Sequence, residues 1–393
     1  MRHHGLVVGL VLCAAPAAAQ PSFSQYVAVG DSFLAGVVSE SLVESHQERS
    51  IPALIAHQGG APSFMQPLVT EPGIPAELTL LSLAPTALIA PKSTVPGAPR
   101  LFTAAFHNLA IPNTTATDLA TRTSDGGGMH DLVLRGRGTA LAQAMGVRPT
   151  FATVWVGSDE ILSAVRRGRA VEGQTLTPAA TFRAGFQALV TNLRAAGATV
   201  VAGNVMDLTA SPFATTLRSY YTDPITGEAV RLNGAVVPLL GPNGPLPEGT
   251  LVTLVASRLL AQGDGVPATV GGKGTPLPDE VILDASEQAQ IRARIADFNR
   301  AIDEVCQAAG VPIVDANTFY QGFVKNGRAI GGIQVTNQFL TGGFWSYDGV
   351  HPTELGYAML ANEWIAAINS TGANLAPVAL APYLGAEPPG VGR

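Results

Sequence analysis

The fold prediction starts from Tyr26–Phe33, which reads YVAVGDSF. Its apolar first part predicts a buried strand, and the Gly-Asp-Ser turn ends that strand. A serine at the carboxyl end of a parallel strand lies where open α/β sheets place their sites. The amide after such a tight turn can also face a developing oxyanion. Ser32 is therefore a candidate nucleophile, and the alternative is that it only caps the following helix.

Similar short apolar runs recur at 150–156, 198–203 and 311–314, and helical patterns separate several of them. The clearest helix is predicted from Asp284 to Ala309. Its apolar residues recur at spacings of three and four, and a capping box opens it. Strands that alternate with helices predict an α/β fold whose parallel sheet is covered on both faces.

The chain is predicted to form one domain over 20–370, followed by an irregular Pro/Gly-rich tail at 371–393. Two Pro/Gly-rich segments, near 62–99 and 212–278, do not fit the rhythm of strands and helices. We interpret both as insertions into that domain, and the first as a hairpin over the core.

Residues 1–19 have the pattern of a cleaved signal peptide, with a weakly positive start, an apolar stretch and an Ala-rich cleavage site. The mature protein is thus expected to begin near Gln20 and to be secreted or periplasmic. Lipid attachment at Cys13 is disfavoured, because Leu12 is a poor fit to the small residue that such processing prefers. Cys306 would then be the one remaining cysteine, so we expect a small core residue and no intrachain disulfide.

The amino-acid composition excludes several classes of protein. Of 393 residues, 47% are hydrophobic and 13% are charged, and the net charge is −6. Such a chain can bury a large core, and it is no disordered protein. Because no basic run is present, nucleic acid is not an expected partner. No apolar run after the leader approaches membrane-spanning length, so no transmembrane segment is expected.

A second candidate motif is Asp348-Gly349-Val350-His351, which precedes Pro352 and a helical pattern. Asp348 is close enough to accept a hydrogen bond from the His351 ring, which would leave the other ring nitrogen as a base. The alternatives are a turn aspartate beside a surface histidine, or a metal site. No cluster of residues has metal-ligand spacing, so neither a metal nor another cofactor is expected.

Other segments and residues give weaker evidence of a functional site. The segments 156–162 and 108–115 are uninformative alone, but their order between the two motifs is specific. Asp315 ends a strand and is a rival to Asp348, although a turn or cap role is commoner. The aromatic residues before Asp348 predict either an acyl pocket or packing under the loop; they are Phe344, Trp345 and Tyr347. Four histidines share no spacing and are interpreted as structural or surface residues: His46, His57, His107 and His130.

Taken together, these motifs resemble the SGNH/GDSL hydrolase family over most of the mature chain, roughly Tyr26 to Ile368. The strongest parts are VGDSF at 29–33 and DGVHPT at 348–353, and the segments 155–157 and 361–363 are also similar. The resemblance implies a three-layer α/β/α sandwich with a flavodoxin-like sheet. It also implies a GDSL-type esterase or lipase that forms an acyl-enzyme intermediate on a small-molecule, lipid or carbohydrate ester.

By this resemblance Ser32 is the nucleophile, His351 the base and Asp348 its orienter. The oxyanion would be held by the amides of Ser32 and Asn113 and by an Asn side chain in the third block. Asn113 stands where the family usually has Gly, which is a mild change because Asn tolerates the left-handed conformation.

The third block departs from the family pattern, because Asp159 stands at the Asn position. A carboxylate has no proton to donate, and losing one oxyanion donor typically costs about a hundredfold to a thousandfold in rate. Two alternatives stay open: a protonated Asp159, or Ser158 as the donor. Two other functions also stay open, a carbohydrate O-acetyl esterase and a non-catalytic binding protein on the same fold.

Overall fold

The computed structural model describes residues 20–82 and 87–385. The predicted signal peptide, Cys13 and the last part of the predicted tail lie outside the described residues, so export remains a prediction. Among the described residues, no helix is both long and apolar enough to cross a membrane.

Short strands and mostly short helices follow one another along the chain. The strands are β1 Tyr26–Gly30, β2 Leu78–Ser82, β3 Leu88–Pro91, β4 Phe151–Trp155, β5 Thr199–Gly203, β6 Arg231–Leu232, β7 Ala235–Val236, β8 Leu240–Gly241, β9 Gly244–Pro245, β10 Leu251–Val252, β11 Ile282–Leu283, β12 Ile313–Val314, β13 Arg328–Ile330 and β14 Ile333–Val335. The helices are α1 Ser32–Ala35, α2 Glu44–Gln47, α3 Ile51–Gln58, α4 Ala116–Thr121, α5 Met129–Leu134, α6 Ala140–Gly146, α7 Ser158–Arg166, α8 Ala179–Ala195, α9 Pro212–Thr215, α10 Ser257–Ala261, α11 Ala285–Ala309, α12 Ala316–Asn326 and α13 Glu354–Asn369.

The central sheet is parallel and has the strand order β1-β4-β5-β12. A further segment extends it beyond β1, because Asn108 forms a parallel bridge with Ala28 and the amide of Leu109 donates to the Ala28 carbonyl at 2.8 Å. Counted along the chain, the spatial order is therefore 2-1-3-4-5, which is the flavodoxin-like order. The predicted α/β fold class is confirmed. The strand order reverses between β1 and β4, where such sheets place their sites.

Two groups of helices cover this sheet in the three-layer sandwich. Helix α8 packs against both α4 and α11, and α13 packs on α3. The predicted capping box of α11 is present, since Asp284 accepts from the amide of Glu287 and the Glu287 side chain accepts in return. The apolar face predicted for this helix is buried, and so is Cys306.

The two Pro/Gly-rich insertions have different structures. The first contains the antiparallel pair β2–β3, as predicted for a hairpin. The second contains small antiparallel strand pairs and, near its predicted helical piece at 250–262, a 3-10 turn followed by α10. Its apolar side chains form a separate small core that includes Leu239, Val266 and Leu277. The prediction of a single domain with insertions remains a prediction.

Candidate active site

Ser32 lies where β1 ends and α1 begins, and its exposed fraction is 2%. The cap of α1 is not Ser32, as the alternative interpretation supposed, but Asp31, whose carboxylate accepts from the amide of Phe33 at 3.2 Å. Capping by Asp31 leaves the Ser32 hydroxyl for other contacts. The other carboxylate oxygen of Asp31 accepts from the amide of Ser158 at 3.0 Å, which joins the ends of β1 and β4.

His351 and Asp348 form a buried pair. The ring Nδ1 of His351 lies 2.7 Å from Asp348 Oδ2. Asp348 Oδ1 accepts from the amides of Val350 and His351, each at 2.8 Å. Burial alone would raise the pKa of the Asp348 carboxyl, but the His351 charge and these donors outweigh it and hold the pKa well below its usual range. Asp348 is thus kept ionised and fixes the tautomer that leaves His351 Nε2 as an acceptor.

A turn that is distant in sequence supplies a further hydrogen-bond donor to Asp348. The amide of Glu40 donates to Asp348 Oδ2 at 2.8 Å, and Ser39 and Glu40 both have positive φ, at 52° and 67°. Two successive positive φ values are the pattern of a type I′ turn. Sequence reasoning missed Glu40 because the contact is made by its backbone, which leaves no mark in the side-chain pattern.

His351 Nε2 is buried and has no hydrogen-bond partner among the described residues. The Ser32 hydroxyl donates instead to Asp159 Oδ1 at 2.9 Å. Ser32 and His351 nevertheless line one small cleft of about 120 Å³, together with Asn113, Asp159 and Arg166. The structure therefore brings together every residue that the resemblance assigns to catalysis, but without the serine–histidine hydrogen bond.

Asp159 occupies the position expected for an oxyanion. Its Oδ2 accepts from the amide of Asn113 at 2.7 Å and from the amide of Ser32 at 3.3 Å. These are the two backbone donors that the resemblance assigns to the oxyanion hole. Asn113 has φ 58°, so it adopts the left-handed conformation expected at this position. The carboxylate at position 159 thus accepts hydrogen bonds from the two donors that the resemblance assigns to a substrate oxyanion.

The turn before α7 aims Asp159 at this position. Gly157 has φ 122°, and a Cβ there would lie 2.6 Å from a Val205 methyl group, so only glycine fits. Ser158, the alternative donor, has a fully buried hydroxyl without a partner among the described residues, and its amide is bound to Asp31. Ser158 does not line the cleft.

Two buried carboxyl groups lie beside Asp159. Burial raises the pKa of Asp31 well above its usual range, and the Asp159 charge raises it further. Burial likewise raises the pKa of Glu160 to about 8, while its hydrogen bond from the amide of Ala116 opposes the shift. Asp31 and Glu160 therefore hold their protons at higher pH than an exposed carboxyl group does, and Arg166 is the one arginine or lysine among the described residues that line the cleft.

The remaining candidates lie elsewhere. Asp315 caps α12 through the amide of Thr318, which is the cap role expected of it. Phe344 packs on Phe323 with ring centroids 4.5 Å apart, and neither Phe344, Trp345 nor Tyr347 lines the cleft.

The four histidines that were interpreted as structural or surface residues also lie outside the cleft. His46 is buried between two carboxylates, and His57 is exposed. His107 binds the amide of Met65, and His130 contacts Thr114. Within residues 20–82 and 87–385, no group of three or more His, Cys, Asp or Glu side chains is arranged to hold a metal ion.

Comparisons with known proteins identify the family of this chain. The family model described as GDSL-like Lipase/Acylhydrolase matches residues 26–364. No match was found among curated proteins. Solved structures that are similar include a putative GDSL-like lipase from Parabacteroides merdae, with 11% identity and a TM-score of 0.41 over 90% of this chain and 99% of that one.

Two further solved structures are similar over most of their length. A lipase/acylhydrolase from Enterococcus faecalis has 14% identity and a TM-score of 0.37, over 90% of this chain and 98% of that one. An acetylxylan esterase from Geobacillus stearothermophilus, solved as a catalytic mutant, has 11% identity and a TM-score of 0.39, over 88% and 94%. At these identities and TM-scores the similarity says nothing about the substrate.

Proposed function

Because the chain belongs to the GDSL-like lipase/acylhydrolase family, we propose that it is a serine ester hydrolase that forms an acyl-enzyme intermediate on Ser32. The observation that carries this proposal is the Asp348–His351 pair, whose unpartnered Nε2 shares one cleft with the Ser32 hydroxyl. A base that is oriented through one ring nitrogen and free at the other is what serine activation requires.

The proposed reaction proceeds in two steps. Ser32 Oγ attacks the ester carbonyl carbon while His351 Nε2 takes the hydroxyl proton. The tetrahedral intermediate collapses, the bond to the alcohol oxygen breaks, and the alcohol leaves with the proton from His351. Water then attacks the acyl-enzyme with the same base, and the carboxylic acid is released. Asp348 stays ionised throughout and stabilises the imidazolium.

The amides of Ser32 and Asn113 are the proposed donors to the oxyanion. Both now bind Asp159, and the Ser32 hydroxyl also donates to it. A hydroxyl has a single proton, so Ser32 cannot donate to Asp159 and His351 at once. In the proposed cycle the substrate carbonyl therefore displaces the Asp159 carboxylate before attack. In this proposal the observed arrangement is a resting state, in which the Asp159 side chain fills the oxyanion hole.

The same contacts favour a second candidate function. If Asp159 is never displaced, the cleft is a binding site on an esterase fold without efficient catalysis. The buried Asp348–His351 pair argues against this alternative, because a buried ionised carboxylate is costly and is maintained here by five donors, including Glu40 and Ser346.

The test is hydrolysis of p-nitrophenyl acetate and butyrate by the mature protein. We expect steady-state release of p-nitrophenol that Ser32→Ala abolishes. Ser45→Ala removes a hydroxyl bound only to the exposed side chain of Glu71 and serves as the matched control. A thermal unfolding transition like that of the wild type in each variant would show that neither variant is misfolded. Equal activity of the wild type and Ser32→Ala would refute the serine mechanism, and no activity in a folded wild type would favour the binding protein.

A further inference from the structure

A second cleft lies beside the candidate active site. It measures about 460 Å³ and is formed by the end of α7, the segment after it, Val255 of the second insertion, and the turn at Glu280 and Val281. Three of its lining residues are arginines, Arg166, Arg167 and Arg169, and one is acidic, Glu280. In a chain with a net charge of −6, this is a local excess of positive charge. Val171 and Val255 give the cleft an apolar side.

Arg166 connects the two clefts, because it lines both of them. It ends the helix that begins beside Asp159, and seven residues of helix span about 10 Å. Side chains on a helix tilt toward its N-terminus, so the guanidinium lies nearer to the reacting groups than this span. A single ligand of modest length can thus reach both Ser32 and the arginines.

The guanidinium of Arg166 is incompletely satisfied. Its Nε is buried and has no hydrogen-bond acceptor among the described residues. Its Nη2 lies 2.8 Å from Glu40 Oε1 as an ion pair, but without hydrogen-bond geometry. Buried donors of a charged group normally have acceptors, since leaving them unpaired is costly. A ligand acceptor would satisfy them if a small movement of the Arg166 side chain turned these donors toward the cleft.

The two neighbouring arginines share the cleft with Glu280 but form no ion pair with it. Arg167 and Arg169 are exposed, and neither has an ion-pair partner within 4 Å in the part of the chain that the structure describes. The nearest acidic residue along the chain, Glu172, is engaged by Arg294 instead. Planar guanidinium groups bind carboxylate and phosphate through two parallel hydrogen bonds, so an oxyanion is the ligand chemistry that this set fits.

We propose that this arginine cleft, defined by Arg166, Arg167 and Arg169, binds a negatively charged phosphate or carboxylate group of the substrate, remote from the ester, and makes the enzyme prefer negatively charged esters. The proposal rests on the function proposed above. A phosphate and a sugar carboxylate share the required chemistry. The ester is held at Ser32, and the anion is held beyond Arg166. Because the anion lies away from the reacting carbonyl, the arginines act mainly on KM.

The experiment compares charged esters with uncharged partners. One pair is acetylglycerol phosphate and acetylglycerol, and the other is O-acetyl galacturonate and O-acetyl galactose. The proteins are the wild type, Arg167→Gln/Arg169→Gln, and Arg218→Gln/Arg300→Gln. Arg218→Gln/Arg300→Gln is the control, because it removes the same charge from exposed arginines that line neither cleft. The readout is the ratio of kcat/KM between the members of a pair.

We expect the wild type to prefer the charged member of at least one pair by about tenfold, the effect of one good charge-assisted hydrogen-bond pair. The preference should fall by about fivefold or more in Arg167→Gln/Arg169→Gln, through KM, and persist in the control. A preference for the phosphate pair alone identifies phosphate, and one for the uronate pair alone identifies a carboxylate. No preference in either pair, or one that survives in Arg167→Gln/Arg169→Gln, overturns the proposal.

Titration calorimetry with glycerol phosphate and galacturonate, which contain no ester, separates this proposal from the proposed function. Binding that Arg167→Gln/Arg169→Gln weakens, without hydrolysis of any ester, would retain the anion site and reject the esterase. Hydrolysis of both uncharged esters without anion binding or anion preference would retain the esterase and reject the anion site.

Discussion

Replacement of Asp159 by asparagine should increase esterase activity. In the resting state the Asp159 carboxylate accepts from the amides of Asn113 and Ser32, at 2.7 and 3.3 Å, and from the Ser32 hydroxyl at 2.9 Å. A substrate carbonyl needs both amides, and His351 needs the hydroxyl proton. An amide of the same shape keeps the packing but binds these donors less strongly, because it carries no charge.

The magnitude follows from the contacts that must be broken. A hydrogen bond to a charged group contributes about 1.5–3 kcal/mol net and a neutral one about 0.5–1.5, so the charge adds roughly 1 kcal/mol for each contact. The contact at 3.3 Å is long, and Asp159 is half-buried and is partly re-solvated when it moves. The total is about 1–2 kcal/mol, which corresponds to a rise in kcat/KM of about five- to thirtyfold.

The assay is kcat/KM for p-nitrophenyl acetate in the wild type and in Asp159→Asn. Asp297→Asn is the matched control, because Asp297 is half-buried on α11, as Asp159 is on α7, and among the described residues it pairs only with Arg300. Inhibition by sodium acetate is a second readout. Acetate competes for the amides that Asp159 now binds, so Asp159→Asn should be inhibited at lower acetate concentrations than the wild type.

A slower Asp159→Asn enzyme would refute this reasoning. That result would mean that the carboxylate assists catalysis, for example by taking the proton of the Ser32 hydroxyl to which it is bonded. Unchanged activity with unchanged acetate inhibition would show that the contacts of Asp159 do not limit access to the oxyanion hole.

Three further predictions concern pH and metal. The carboxylates of Glu354 and Glu77 outweigh the effect of burial and raise the pKa of His46 to about 9. His46 should therefore stabilise the fold fully below about pH 6.5, by up to about 3 kcal/mol, and lose that contribution as pH rises through about 9. Urea unfolding between these pH values should show a loss of stability that His46→Gln lacks. Glu160, whose pKa is raised to about 8 by burial, should destabilise the fold as pH rises from about 4.5 to 8, by roughly 5 kcal/mol at most. Glu160→Gln should then unfold at higher urea concentration than the wild type at pH 8 but not at pH 4.5. Activity should survive EDTA, because the serine mechanism uses no metal, and a loss that zinc or calcium restores would contradict it.

The sequence predicts local features of this molecule well. The helix at 284–309 has a capping box and a regular apolar face, and both are set by neighbours in sequence. The contact between Asp348 and His351 likewise follows from a spacing of three residues. Strands such as β4 are mostly apolar and are buried throughout, as parallel strands covered on both faces require.

Contacts between distant segments could not be predicted in this way. The sequence identifies Asp159 as a missing donor, but not as a carboxylate that reaches the amides of Ser32 and Asn113, since this depends on how two loops meet. The backbone contact from Glu40 to Asp348 spans 308 residues and involves no side chain of Glu40. The ion pair between the Glu40 side chain and Arg166 also depends on how distant segments of the chain are placed.

The central claim is that Ser32 is a nucleophile activated by His351, and a fluorophosphonate probe tests it most directly. The probe forms a covalent bond with an activated serine, and mass spectrometry of the digested protein locates the bond. We expect labelling at Ser32 in the wild type and none in folded His351→Ala. Labelling of another serine, equal labelling of His351→Ala, or no labelling of the folded wild type would contradict it.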